Sequence, residues 1–152
     1  MTINEEEMLW LQNHAYLLSL SGYSPDVLIG GRGAQEDLLR WQYAVNFAHS
    51  GLLSGALGLH DEGWLAAHGM NLADYVMGLS INNPFDAHFF DKGGAVYWLE
   101  PEMFGTEIMD EILLSNPIHS LSDDVNYGFS RRMLDFFEGA GFPWGCGPRI
   151  SV

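Results

Sequence analysis

Basic residues are scarce in this chain. Twenty Asp and Glu residues face only six Lys and Arg, of which a single one is a lysine (Lys92), so the formal net charge is -14 over 152 residues. A chain this anionic repels phosphate backbones and anionic membrane surfaces, and it attracts cationic protein clefts at long range. We therefore expect a basic protein as the partner, with no direct contact to nucleic acid or to a membrane.

Cysteine is almost absent too, and long apolar runs are missing. With Cys146 alone, no internal disulfide and no cysteine-rich zinc site can form. Nothing in the sequence pairs this thiol with a histidine, which leaves its reactivity open. The first residues are acidic where a secretory signal is basic, and the weakly polar stretch at 51–59 is too short to span a bilayer. We expect a cytoplasmic protein.

The apolar content is nevertheless that of a folded protein. Hydrophobic residues make up 47% of the chain and aromatic residues 13%, which disordered acidic segments do not reach. The length fits one globular domain over residues 1–152, with the acids on its outside. Residues 142–152 are rich in Gly and Pro and predict an irregular tail, which either packs Trp144 back on the domain or is mobile.

Apolar residues recur at helical spacing along most of the chain and predict a mainly α fold of about six helices. Thr2 and Glu5 have the spacing of a capping box at the first helix. The second helix carries apolar residues on most sides. Its pattern either continues past Ser50, where small residues at Ser54 and Gly58 let another helix approach closely, or breaks near Gly51 or Gly58. The predicted helices are roughly Ile3–Leu20, a segment from about Ala34, 61–68, 71–82, 106–116 and 122–139.

One β element is predicted, which makes the fold α+β. Residues 87–90 and 95–99 read as two short strands joined by a glycine turn, and so as a small antiparallel hairpin near residues 87–99. An isolated hairpin is only marginally stable in water, so we expect it to pack against the helices.

Potential metal ligands are densest at His60, Asp61, Glu62 and His68. The eight-residue gap between the histidines exceeds the one-turn spacing of catalytic zinc helices, and a helix start explains the acids. We therefore expect no metal site and no cofactor. The alternative that this protein is an enzyme requires a pocket that brings His49, His60 and His68 together with nearby acids. The sequence leaves the existence of such a pocket open.

Acids next to aromatic residues between Tyr97 and Phe104 have the composition of an interface with aromatic anchors and a charged rim. Several other acids lie at predicted helix starts, where the helix dipole already explains them. We assign no catalytic residue. The predicted partner-binding residues are Trp98, Glu100, Glu102, Glu107, Asp110, Glu111, Asp123 and Asp124.

These features favour a non-enzymatic acidic protein that binds and neutralises a basic protein. Proteins of the immunity or counter-defence type, which inhibit a nuclease or a nucleic-acid-binding effector, have this character. Two alternatives remain. The first is a small enzyme or ligand-binding domain that uses histidines and carboxylates, and the second is an acidic subunit whose apolar patches form a homo-oligomer.

Overall fold

Helices form most of residues 3–30, 37–60, 62–86 and 93–151, the part of the chain that this computed structural model describes. A single pair of short antiparallel strands is present in these ranges. The predicted mainly α fold with one small antiparallel sheet is thereby confirmed. The elements are α1 Glu5–Leu20, α2 Asp26–Ile29, α3 Asp37–Ser54, β1 Leu57–Leu59, α4 Glu62–Ala67, α5 Leu72–Ile81, α6 Ala95–Trp98, β2 Met103–Gly105, α7 Glu107–Ser115 and α8 Tyr127–Gly139.

Asparagine side chains start three of the helices. The Asn4 side chain accepts a hydrogen bond from the Glu7 amide at the start of α1, and Asn126 caps α8 in the same way. Asn71 and Asp74 form a reciprocal capping box at α5. Each cap satisfies amide groups that have no partner inside the helix. Thr2, the expected cap of the first helix, lies outside the described residues.

The central helix is α3, which contacts α1, α2, α5, α8 and β1. Its buried residues lie on most sides, as the sequence predicted. Gly51 lies inside the helix, where a Cβ would overlap the Leu57 side chain, so glycine leaves the room that Leu57 needs. The helix ends instead at Ser54, because Gly55 adopts a positive φ of 87° and turns the chain into β1.

The core is rich in aromatic residues, and the C-terminal segment packs against it. The Trp10 ring lies 5.8 Å from Phe47, and Trp144 stacks on Phe137 with centroids 6.4 Å apart. Trp144 is only 3% exposed, so the irregular segment after α8 packs back on the helices. The Gln42 side chain also accepts a hydrogen bond from the Ile150 amide at 3.0 Å.

The sheet lies away from its predicted position. β1 pairs with β2, with Gly58 opposite Phe104, and residues 95–98 form helix α6 where the second strand was expected. Residues 87–92, which include the first expected strand, lie outside the described residues. Short apolar runs do not separate helix from strand by period alone, and here tertiary contacts decide. The Tyr75 hydroxyl donates to the Tyr97 carbonyl at 2.7 Å, which ties α6 to α5.

Candidate partner-binding surface

All seven acids of the predicted binding set have exposed side chains. They lie in three places: the segment between α6 and β2, helix α7, and the loop before α8. The set is Glu100 and Glu102, then Glu107, Asp110 and Glu111, then Asp123 and Asp124.

These acids share a stretch of sequence without Lys or Arg. Residues 93–130 contain seven Asp and Glu and no Lys or Arg. Arg131, the first base after this stretch, lines a separate groove with Asp135 and Glu138 on α8. Among the described residues, Arg40 at the start of α3 is paired with Asp37. The acidic stretch therefore has no basic residue of its own to neutralise it.

Trp98 is not part of this surface, which corrects its assignment as an aromatic anchor. Its side chain is 0% exposed, and its Nε1 donates to the Asn82 carbonyl at 2.7 Å. The indole fills the space between α6 and the end of α5, and its polar group is satisfied there. In this structure Trp98 stabilises the fold and offers no surface to a partner.

Glu100 and Glu102 flank two histidines that stack on aromatic rings. Glu100 accepts a 3.4 Å hydrogen bond from Trp64 Nε1 and lies 3.9 Å from His68 Nε2. The Glu102 carbonyl accepts from the His60 amide at 3.0 Å. Glu100 is thus already engaged by its own chain, which makes it less available to a partner than the acids on α7.

Helix α7 presents an acidic face. Asp110 and Glu111 lie three and four residues after Glu107, and Leu114 lies four and three residues after them, which are the spacings that place side chains on the same side of a helix. All four are exposed, whereas Met109 and Ile112 on the opposite side are buried. The amphipathic pattern therefore docks α7 against the core and leaves three carboxylates in solvent. We call these three residues the α7 acids.

An apolar groove runs beside the α7 acids, between α1 and α7. Its volume is about 490 Å³. Leu114 is 80% exposed and Leu20 is 60% exposed, so apolar surface is open to solvent on both helices that border the groove. Asp110 is the only acid in its lining. The groove residues are Tyr16, Ser19, Leu20, Asp110, Leu113, Leu114, Pro117, Ile118 and His119.

Two helix C-termini frame this groove. Leu20 is the last residue of α1 and Leu114 the last but one of α7, and neither helix has a basic residue in its last turn. A helix C-terminus carries roughly half a negative charge from its free carbonyl groups. The groove is therefore apolar in its side chains and negative in its surroundings.

The loop that carries Asp123 and Asp124 is held to α1 by two buried amides. Gln12 donates to the Asp124 carbonyl at 2.9 Å and accepts from the Asn126 amide at 2.7 Å. Asn13 does the same with both backbone groups of Ser122. Since α8 begins only at Tyr127, the helix dipole does not explain the two acids, contrary to our expectation. Their carboxylates point into solvent from a fixed loop.

The histidines of the enzymatic alternative lie in separate surroundings. His49 packs edge-on against Phe142, His60 stacks on Phe104, and His68 stacks on Trp64. Burial lowers the pKa of His49 below its usual value. Within the described ranges, no three His, Cys, Asp or Glu residues are grouped as metal ligands. Nor does any helix in these ranges combine the length and apolarity of a membrane span.

The sequence pattern predicted the acids but missed the groove beside them. Leu114 lies outside the apolar stripe of α7, and this extra leucine was the one available signal. Comparisons with family models, with curated proteins and with solved structures find no match for this chain.

Proposed function

We propose that this protein is a non-enzymatic binding protein whose acidic surface engages and neutralises a basic protein. The observation that carries the proposal is the α7 face: three exposed carboxylates, in a stretch of residues 93–130 that contains no Lys or Arg. Complementary charge steers a basic partner to such a face and raises its association rate.

A nuclease or a nucleic-acid-binding effector is the partner class that fits best. Proteins that bind nucleic acid use Lys and Arg to neutralise phosphates, so their clefts are cationic. A rigid acidic surface that occupies such a cleft blocks it without any chemistry of its own. The net charge of -14 disfavours nucleic acid itself as the ligand.

Affinity capture from the source cells, followed by an activity assay on the captured protein, tests this proposal. We expect a basic protein whose nuclease or nucleic-acid-binding activity is lost at one equivalent of this chain. Capture of an acidic or neutral partner, or full activity in the stoichiometric complex, would contradict the proposal.

Two charge-matched variants localise the effect. D110N/E111Q removes two charges from the α7 acids, and D135N/E138Q removes two from α8, each pair being exposed. The first variant should weaken inhibition and the second should leave it close to that of the unmodified chain. Equal loss in both variants would show that overall charge, and not this face, drives binding.

A further inference from the structure

We infer that the groove between α1 and α7 is the anchoring site of the acidic surface: it takes an apolar side chain that neighbours a Lys or Arg of the basic partner. The inference rests on the proposed function and adds to it the place of docking and the chemistry of the docked segment. An amphipathic basic helix, with apolar residues one turn apart, has this chemistry.

Leu114 on α7 and Leu20 on α1 supply exposed apolar surface to the groove. Both are more than half exposed, and Leu113 and Ile118 extend the same lining. A volume of about 490 Å³ lies within the range of roughly 300–1,000 Å³ that is usual for binding clefts. Side chains that fill well-packed, desolvated pockets carry a large part of the binding energy of protein interfaces.

The preference for a cation comes from the negative groups that surround these leucines. Asp110 lines the groove one helical turn before Leu114, and the C-termini of α1 and α7 both end at it. Neither terminus is compensated by a basic residue, so their free carbonyls and the Asp110 carboxylate all favour a cation. A segment with an apolar residue next to Lys or Arg fits both the apolar lining and the negative surroundings of the groove.

A second copy of this chain fits the groove less well. A two-fold dimer brings the same patch of both copies together. The α7 acids of one copy would then approach the α7 acids of the other, and like charges repel without any Lys or Arg in residues 93–130 to separate them. Charge complementarity therefore selects a basic occupant.

The test uses two synthetic helical peptides of equal positive charge. The first carries Leu at positions i and i+4 among lysines, and the second has Ser in place of both leucines. We expect the Leu peptide to bind at least about tenfold more tightly, since its leucines leave water when they enter the groove. In NMR titrations its contacts should appear at the methyl groups of Leu20, Leu113, Leu114 and Ile118.

Two leucine variants complete the test. L114S should remove most of the Leu-peptide advantage, whereas L38S, at a leucine of α3 that is 48% exposed, should retain it. Circular dichroism confirms that both variants are folded. Equal affinity for the two peptides, no saturable binding, or an unchanged advantage in L114S would each overturn the inference. A dimer of the unmodified chain that L114S dissociates would overturn it too, by making the groove a self-association surface.

Failure of this test is distinguishable from failure of the proposed function. If the peptides bind equally while D110N/E111Q still weakens inhibition of the captured partner, the acidic surface stands and the groove is not its anchor. If the captured partner is not basic, the proposed function itself falls.

Discussion

Asp110 and Leu114 lie one helical turn apart on α7 and line the same groove against α1. A carboxylate and an 80% exposed leucine thus share one site, where the C-termini of two helices add further negative potential. Asp135 and Glu138 on α8 also line a groove with apolar residues, but Arg131 shares that groove, whereas no Lys or Arg is among the described residues that line the groove at Asp110.

Buried His14 makes the fold sensitive to acid. Its side chain is 1% exposed, Nδ1 donates to the Trp10 carbonyl at 2.7 Å, and Nε2 has no hydrogen-bond partner among the described residues. Burial lowers the pKa of His14 to about 4, from 6.5 in the unfolded chain. Between these pH values the unfolded state binds more protons, so the free energy of unfolding falls as the pH is lowered.

The expected loss from His14 between pH 6.5 and 4 is about 3 kcal/mol. Urea unfolding at a series of pH values measures it. H14Q should flatten the pH dependence in this window, and H119Q, at an exposed histidine, should not. An identical pH dependence in H14Q and the unmodified chain would show that His14 titrates normally.

Alanine substitutions at two helix glycines, Gly78 in α5 and Gly139 in α8, should have opposite effects on stability. A Cβ on Gly78 overlaps the Tyr97 ring, whereas a Cβ on Gly139 at the end of α8 meets no described atom within 4 Å. G78A should destabilise the protein by roughly 1–3 kcal/mol through overpacking. G139A should stabilise it by up to about 1 kcal/mol because alanine favours the helix. Thermal unfolding that shows no difference between the two would argue against this position of α6.

Asn13 should control the order of the loop that carries Asp123 and Asp124. N13A leaves both backbone groups of Ser122 without their side-chain partner, at a cost of about 1–3 kcal/mol. Hydrogen exchange should accelerate at the Ser122 and Asn126 amides. Exchange at the Asp74 amide, which is capped within α5, is the internal control and should not change. Unaltered protection of Ser122 would mean that other contacts hold this loop.

Local signals in the sequence predicted the long helices, because their apolar spacing and caps act within a few residues. The apolar spacing of α3 is such a signal, and its buried residues lie on most sides as that spacing predicted. The pairing of β1 with β2 could not be predicted from the sequence, since three-residue strands carry little pattern and their partners lie far apart in sequence. Trp98 was misassigned for a related reason: its burial depends on where α5 and α6 meet.

The candidate surface also has one part that the sequence predicted and one part that it did not. Composition identified the acids, and their exposure follows from the cost of burying charge. The groove depends on how α1 packs against α7, which no local pattern encodes, so only the structure brings Leu20 next to Leu114.

The association rate with the captured basic partner tests the central claim most directly. It should be measured by stopped flow at ionic strengths between about 0.05 and 0.5 M, over which the screening length falls to a few ångströms. The unmodified chain and D135N/E138Q should show a steep fall in rate with salt, by tenfold or more on the scale typical of steered association. D110N/E111Q should start from a lower rate and fall less steeply. A rate that does not depend on salt, or an equal salt dependence in all three proteins, would contradict the claim that the α7 acids guide a basic partner.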